Sequence, residues 1–189
     1  MIDGEMQSFP LTLDRFLDHA AKWHPGVEVV TARGDSANER IGYAALAARS
    51  RRISSVLARM GVKPGERVAT LAWNTQAHVE VWYAVMGMGA VCHTLNPRLT
   101  EAQLADMATQ SQVRILIAGG DLAPLARRIA ARAPLIERVI LIAAEAGDDL
   151  LEPMIEAAEG SVAWGQFEET APSGLCFTWG TTGAPKGVT

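Results

Sequence analysis

Residues 176–189 combine the residue types that favour phosphate binding, and they overlap a short apolar run typical of a β-strand at 175–178. Glycines let consecutive backbone N–H groups turn toward an anion and leave room for its close approach. Threonine hydroxyls add hydrogen-bond donors, and a lysine adds a positive charge on a flexible stem. We therefore expect phosphate to be bound by Thr178, Gly180, Thr181, Thr182, Gly183 and Lys186.

This stretch differs from the Walker A loop, whose pattern is G-x-x-x-x-G-K-[ST]. The spacing from Gly180 to Lys186 fits that pattern, but Pro185 stands at the second glycine and Gly187 at the hydroxyl position. Proline and glycine also disfavour a helix that begins at the lysine, so the helix N-terminus of a Walker site is not expected. The composition instead predicts a loop or hairpin that closes over a polyphosphate.

The same residues resemble the signature of the adenylate-forming enzymes, which include acyl-CoA synthetases, firefly-type luciferases and peptide-synthetase adenylation domains. The signature is an aromatic residue followed by T-S-G-T-T-G-x-P-K-G-V. Residues 177–188 match every fixed position except one, where Trp179 replaces the usual serine or threonine. In that family the loop binds the β- and γ-phosphates of ATP, so the resemblance implies nucleotide binding by the six residues named above. It also implies a catalytic role for Lys186 in stabilising pyrophosphate, and it leaves the role of position 179 open.

A second segment, residues 70–99, resembles the corresponding part of medium- and long-chain fatty-acid–CoA ligases. Together the two stretches extend the resemblance over most of the chain from about Thr12 onward. The resemblance implies the N-terminal part of the large domain of an adenylate-forming enzyme, with an α/β fold. It divides the chain into an α/β subdomain at 1–175 and, at 176–189, a phosphate-binding loop with the start of a further subdomain.

The implied activity is that of an ATP-dependent acid–thiol ligase of fatty-acid metabolism. In such an enzyme a carboxylate and ATP give an acyl-adenylate, and coenzyme A then displaces AMP. The family's adenine, magnesium, acyl-pocket and lid residues are expected beyond residue 189, so residues 1–189 are expected to be inactive alone. Two alternatives stay open, namely an adenylating enzyme for an aromatic or short polar acid, and a non-catalytic α/β module that uses the loop to bind phosphate or only as a turn.

Composition and charge disfavour several other classes of protein. The 189 residues are 49% hydrophobic, which is ample for a core, and the net charge of −4 makes nucleic acid an unfavourable partner. The sequence shows neither an apolar run long enough for a bilayer nor a charged leader, which predicts a cytoplasmic protein. The expected partners are a carboxylic acid, ATP with Mg²⁺, and coenzyme A; a homodimer is compatible with the sequence, which leaves the oligomeric state open.

Hydrophobic periodicity predicts the elements that must position the loop. Strands are expected at 27–31, 40–42, 68–72, 91–95, 113–118, 139–142 and 175–178, and helices at 12–23, 43–60, 75–88, 100–111, 122–133 and 151–158. Thr12 is the predicted N-cap of the first helix, and Thr100 with Gln103 forms a predicted capping box. We expect the first helix to bury Leu13, Phe16, Leu17 and Ala20. The alternation of strands and helices predicts a largely parallel sheet with helices on both faces.

Polar and aromatic residues outside the loop have more ordinary expected roles. His93 lies in an apolar strand and is predicted to be a hydrogen-bonded core histidine. Arg98 follows a strand end, where it could meet an anionic group, but a solvated or capping arginine is favoured. Trp82 is predicted to belong to the core, and Cys92 and Cys176 to be buried reduced thiols.

The remaining histidines do not form a ligand set. His19, His24 and His78 have no companion at a metal-ligand spacing. A metal site built from the side chains of this chain is therefore not expected.

Overall fold

The structure of the protein is a computed structural model that describes residues 9–34, 36–178 and 185–189. The strands are β1 (Glu28–Thr31), β2 (Glu39–Gly42), β3 (Arg67–Leu71), β4 (Val91–Thr94), β5 (Ile115–Gly119), β6 (Arg138–Ile142), β7 (Gly174–Thr178) and β8 (Lys186–Val188). The helices are α1 (Asp14–Trp23), α2 (Tyr43–Arg59), α3 (Gln76–Gly87), α4 (Glu101–Gln110), α5 (Ala123–Arg132) and α6 (Leu151–Glu156), with a 3₁₀ turn at Gly120–Leu122. Each predicted helix and strand is present, with its ends shifted by a residue or two. Among the described residues, none of the helices is both long and apolar enough to cross a bilayer.

A six-stranded sheet with the order β6-β5-β3-β4-β7-β8 forms the centre of the fold. The first five strands of that order are parallel, and β8 runs antiparallel to β7. The chain leaves β3 for β4 on one side and later returns to β5 on the other, so the direction of winding changes between β3 and β5. The predicted α/β class is confirmed, and β1 and β2 form the predicted separate hairpin.

Both faces of the sheet are covered by apolar side chains. Val68 and Cys92 point into one cluster, together with Leu46, Ile53 and Leu57 of α2 and Val81 and Val85 of α3. Ala69 and Leu71 point into the other cluster, with Leu104 of α4 and Ile129 of α5. Consecutive residues of a strand face opposite sides, which is why an almost continuous apolar run supplies both clusters. The two-sided covering expected from the sequence is confirmed.

Capping residues confirm two helix starts and correct a third. Thr100 accepts from the Gln103 N–H at 3.4 Å, while the Gln103 side chain accepts from the Thr100 N–H at 3.0 Å, which is the predicted capping box. Thr75 caps α3. The prediction for Thr12 is wrong, because Leu13 is the N-cap of α1 and the Thr12 hydroxyl is buried without a hydrogen-bond partner among the described residues.

The buried stripe of α1 also differs from the prediction. Leu17 is buried as expected, but Phe16 is 61% exposed. The inward face runs through Asp14, Leu17 and Ala21, at spacings of three and four residues. Phe16 lies about 100° around the helix from Leu17, which places it on the solvent side.

The segment between α6 and β7 crosses the outer side of α2 and α3 and is anchored by a tryptophan. Trp164 is 7% exposed, and its Nε1 donates to Ser54 Oγ at 2.9 Å. The ring lies directly on Gly87, where a Cβ atom would come within 2.5 Å of the indole. A glycine is therefore required at the end of α3 for this close approach, which guides the chain toward β7.

An ion-pair network connects α2, α3 and α6. Glu80 is 1% exposed, and its Oε1 accepts from Arg49 Nε at 2.9 Å and from Gln76 Nε2 at 2.8 Å. Arg49 also donates to both carboxylate oxygens of Glu152 at 2.7 Å. The hydrogen bond to Glu152 is the largest cause of the raised pKa of Arg49. The network joins α2, α3 and α6 on the side of the sheet opposite α4 and α5.

Candidate phosphate site

The predicted phosphate-binding stretch lies on an antiparallel hairpin formed by β7 and β8. Cys176 is opposite Val188, Phe177 is opposite Gly187, and Thr178 is opposite Lys186. Of the loop or hairpin predicted from the sequence, this pairing shows the hairpin. Because β7 spans both sides of the predicted boundary between residues 175 and 176, the division into subdomains stays a prediction.

Thr178 and Lys186 form the outermost described residue pair of the hairpin. Directly opposite residues of such a pair have Cβ atoms about 5 Å apart, so the two side chains leave the hairpin next to each other on one face. Both residues are exposed, and within the described ranges Lys186 has no carboxylate within ion-pair distance. A lysine ammonium and a threonine hydroxyl on one face can both donate to phosphate oxygens.

The other predicted phosphate ligands cannot be placed in the same way. Gly180, Thr181, Thr182 and Gly183 lie outside the described residues, as does Trp179. Their assignment stays a prediction from the sequence.

Gly187 allows the hairpin to pack tightly on one face. A Cβ atom at this position would lie 3.1 Å from Leu175 Cδ1 and 3.5 Å from Phe177 Cζ. The φ angle of Gly187 is not in the left-handed region, so its small size matters here and its backbone freedom does not. The space lets the Phe177 ring turn toward the apolar cluster under α4 and α5.

A crevice of about 340 Å³ adjoins the opposite face of the hairpin, at the carboxyl ends of β3 and β4. Its lining includes Trp73, His78, Trp82, Thr94, Asn96 and Arg98. Thr94 Oγ1 lies 3.9 Å from Cys176 Sγ, which connects the crevice to β7. Alternation along β7 places Thr178 on the same face as Cys176, and therefore on the crevice side. Binding sites of open parallel sheets form at the carboxyl ends of their strands, as this crevice does.

Arg98 is exposed on the rim of the crevice. Its backbone N–H is held by Asn96 Oδ1 at 3.0 Å, and its guanidinium group makes no ion pair with the described residues. This agrees with the favoured prediction of a solvated arginine. Contact with an anionic group stays untested.

The histidine at the back of the crevice has one defined tautomer. Trp82 Nε1 donates to His78 Nε2 at 2.9 Å, and an indole N–H can only donate, so Nε2 carries no proton. The proton is then on Nδ1, which lies 3.2 Å from the Trp73 carbonyl oxygen. Burial lowers the pKa of His78, in keeping with a neutral ring. Sequence analysis missed this role, and the available signal was the spacing of four residues between His78 and Trp82 on one helix.

Trp73 separates this crevice from a second cavity of about 430 Å³. The second cavity lies where the sheet changes its direction of winding, next to Gly119 and Gly120 at the end of β5. Trp73 Nε1 donates to Asp121 Oδ2 at 2.8 Å, so the indole bridges the loops that follow β3 and β5. Trp82 packs against the core as predicted, although it is only partly buried.

His93 is a core residue, as predicted, but it is not hydrogen-bonded to any described residue. It is fully buried, and neither ring nitrogen has a hydrogen-bond partner within the part of the chain that the structure describes. Its neighbours across the sheet are Ala69 and Leu175, which offer no polar side chain, and its ring lies 5.2 Å from that of Phe177 between centroids. Burial lowers the pKa of His93 to about 4.

The two cysteines differ in exposure. Cys92 is buried as predicted, and burial raises the pKa of its thiol to about 12. Cys176 is exposed, so the prediction of a buried thiol is wrong there. It lies on the open face of the hairpin, which the core does not cover. Among the described residues, no group of three or more His, Cys, Asp or Glu side chains is placed to hold a metal ion.

Comparison with known proteins identifies relatives for nearly the whole chain. The family described as "AMP-binding enzyme" matches residues 17–189. The 3-methylmercaptopropionyl-CoA ligase of Ruegeria lacuscaerulensis is 36% identical over 98% of this chain and 36% of its own length. The medium-chain-fatty-acid–CoA ligase of Ectopseudomonas oleovorans is 34% identical over 98% of this chain and 35% of its own length. The chain thus spans about a third of the length of these relatives.

Solved structures agree with the fold. The anthranilate CoA ligase AuaEII in complex with anthranoyl-AMP matches with a TM-score of 0.84 and 18% identity, over 96% of this chain and 34% of that chain. The N-terminal domain of FACL13 from Mycobacterium tuberculosis matches with a TM-score of 0.80 and 25% identity, over 94% and 43%. At 18% identity, the match to AuaEII supports the fold alone.

Proposed function

The chain belongs to the AMP-binding enzyme family, and we propose that the protein containing it is an ATP-dependent acid–thiol ligase that forms acyl-CoA in the cytoplasm. The chain is then the N-terminal part of its adenylate-forming domain. The observation that carries the proposal is the pairing of Thr178, the last residue of β7, with Lys186, the first residue of β8. Both residues belong to the stretch that resembles the family's signature, and Lys186 has no competing carboxylate among the described residues.

The proposed reaction has two steps. A carboxylate oxygen attacks the α-phosphorus of ATP, and the bond to the bridging oxygen breaks, so that pyrophosphate leaves with the electron pair. The sulfur of coenzyme A, after losing its proton, then attacks the carbonyl carbon, and AMP leaves to give the thioester.

The described residues contribute to the first step by electrostatics. Negative charge grows on the pyrophosphate oxygens as the bond breaks, and the Lys186 ammonium and Thr178 hydroxyl are placed to stabilise it. Gly180, Thr181, Thr182 and Gly183 are proposed to add backbone and hydroxyl donors. Bound Mg²⁺ would supply further charge neutralisation.

We propose a medium- or long-chain fatty acid as the substrate. The fatty-acid ligase relatives support this choice, as does the resemblance of residues 70–99 to such enzymes. A short thioether acid is the second candidate, because a 3-methylmercaptopropionyl-CoA ligase is 36% identical to the chain. A panel of fatty acids, 3-methylmercaptopropionate and anthranilate distinguishes the candidates.

The test compares pyrophosphate release by the complete protein and by its Lys186→Ala variant. With ATP, Mg²⁺, coenzyme A and each acid in turn, we expect acid-dependent release that falls about 100-fold in Lys186→Ala, the usual loss when one group that stabilises a developing anion is removed. Lys63→Ala is the matched control, since Lys63 is an exposed lysine in the turn before β3. It should retain full activity.

Two results would contradict the proposal. Release that no acid stimulates would favour a phosphate-binding module over a ligase. If Lys186→Ala releases pyrophosphate as fast as the wild type, Lys186 does not stabilise the leaving pyrophosphate. The family assignment would then stand, but the proposed role of the site would be refuted.

A further inference from the structure

His93 lies in β4, beside the start of the hairpin that carries the proposed phosphate site. It is in register with Leu175 of β7, and its ring packs on Phe177, two residues further along that strand. Phe177 is followed by Thr178, and its cross-strand partner Gly187 is preceded along β8 by Lys186. The Phe177–Gly187 pair, which the His93 ring contacts, is therefore one residue pair away from the pair proposed to contact phosphate.

The imidazole is chemically out of place in this position. Buried polar groups are nearly always hydrogen-bonded, and an unpaired one destabilises the fold because it loses its bonds to water. Both nitrogens of His93 are unpaired among the described residues, in a ring that is 0% exposed. Leucine is similar in volume and would fill the space beside Ala69 and Phe177 without that loss.

A residue that lowers the stability of the fold is expected where it serves function. His93 therefore indicates a function that the ligand-free structure does not show. Stacking on Phe177 alone does not require nitrogen atoms, because an apolar side chain can also pack there. The nitrogens are useful if they gain partners that the described residues of this state do not supply. The neighbouring phosphate site supplies such a state, since ligand binding is the change expected there.

We propose that His93 is a positioning residue of the phosphate site, which steadies β7 through Phe177 and gains a hydrogen bond when a polyphosphate is bound. This inference rests on the proposed phosphate site. Burial keeps the ring neutral near pH 7, with a pKa of about 4. One ring nitrogen can then donate a hydrogen bond while the other accepts one.

The test uses the complete protein and inorganic pyrophosphate as the probe. Variant His93→Leu removes both nitrogens, whereas His93→Asn and His93→Gln place an amide near Nδ1 and Nε2, respectively. Melting temperature without ligand and pyrophosphate affinity by calorimetry are measured for each variant. In ¹⁵N-histidine-labelled wild-type protein, the His93 ring signals are assigned by their loss in His93→Leu and followed during addition of pyrophosphate.

We expect two quantities to change in opposite directions. His93→Leu should raise the melting temperature by about 2–4 °C, because the unpaired groups are gone. It should also weaken pyrophosphate binding about tenfold. One of the two amide variants should recover part of the affinity and so identify the nitrogen that is used. The ¹⁵N shifts of that ring should move when pyrophosphate is added to the wild type.

A purely structural histidine would give a different pattern. A lower melting temperature in His93→Leu would overturn the inference, and so would unchanged pyrophosphate affinity or ring shifts that ignore the ligand. A wild-type protein that binds pyrophosphate but shows no acid-dependent release refutes the ligase and leaves the role of His93 intact. Failure of the wild type to bind pyrophosphate overturns both.

Discussion

Replacing Gly87 by alanine should destabilise the protein through one contact. Gly87 ends α3, and a Cβ atom there would lie 2.5, 2.6 and 2.7 Å from three carbon atoms of the Trp164 ring. Carbon atoms normally approach to about 3.5–4 Å, so the indole would have to retreat by about 1 Å. That movement also strains the 2.9 Å hydrogen bond from Trp164 Nε1 to Ser54.

The magnitude follows from three terms. Overpacking a close-fitted core costs about 1–3 kcal/mol, and loss of the hydrogen bond adds about 1 kcal/mol. Alanine recovers at most about 1 kcal/mol through its better helix propensity, and less at a helix end. The free energy of unfolding of Gly87→Ala should therefore fall by about 2 kcal/mol.

Urea unfolding followed by circular dichroism measures this loss. Gly26→Ala is the control, since a Cβ atom at Gly26 has nothing within 4 Å and should change little. A second comparison isolates the partner. In a Trp164→Ala background the clash is absent, so Gly87→Ala should be neutral or slightly stabilising. If Gly87→Ala is harmless in the wild type, or equally harmful in both backgrounds, the contact with Trp164 does not explain the glycine.

Two further predictions concern buried charge. Lowering the pH from about 6.5 to 4 should reduce the free energy of unfolding, because His93 is protonated in the unfolded chain but stays neutral in the folded one. Its pKa is about 4 in the folded protein against the ordinary 6.5, so its contribution to this loss approaches 3 kcal/mol. His93→Leu should flatten this part of the pH profile, and a slope unchanged from that of the wild type would contradict the assignment. Arg49→Met should lower the free energy of unfolding by about 3–5 kcal/mol, because Glu80 is left buried without its guanidinium partner. Arg40→Met is the control at an exposed ion pair and should lower it by less than about 1 kcal/mol. The double variant Arg49→Met/Glu80→Met should recover much of the lost free energy of unfolding, as measured by urea unfolding. A double variant that is no more stable than Arg49→Met would refute this account.

Most of the fold was predictable because its signals are local. Helical and strand periodicities gave the order of elements, and the capping box at Thr100 gave a helix start from four adjacent residues. The error at Thr12 is a shift of one residue in the start of α1, and the Thr12 hydroxyl is buried instead of capping the helix. The contact between Gly87 and Trp164 joins residues far apart in the chain, so no local pattern could reveal it.

The candidate site was predictable in type and only partly in geometry. The motif predicted that Thr178 and Lys186 act together, and the strand register places them opposite each other. Exposure of Cys176 depended on which face of the hairpin the core covers. The lack of hydrogen-bond partners for His93 among the described residues depended on its neighbours across the sheet. Both are properties of strand pairing, which a single strand's sequence does not contain.

Only the first residues of β7 pair with the parallel part of the sheet. β7 shares two register pairs with β4, at Gly174 and Leu175, and then three with β8, so its outer half projects past the last rung of the parallel ladder. Within the described residues, this half is connected to the body of the protein by those two register pairs and by the contact between the tilted rings of Phe177 and His93. Substitutions at these positions should therefore change how firmly Thr178 and Lys186 are held.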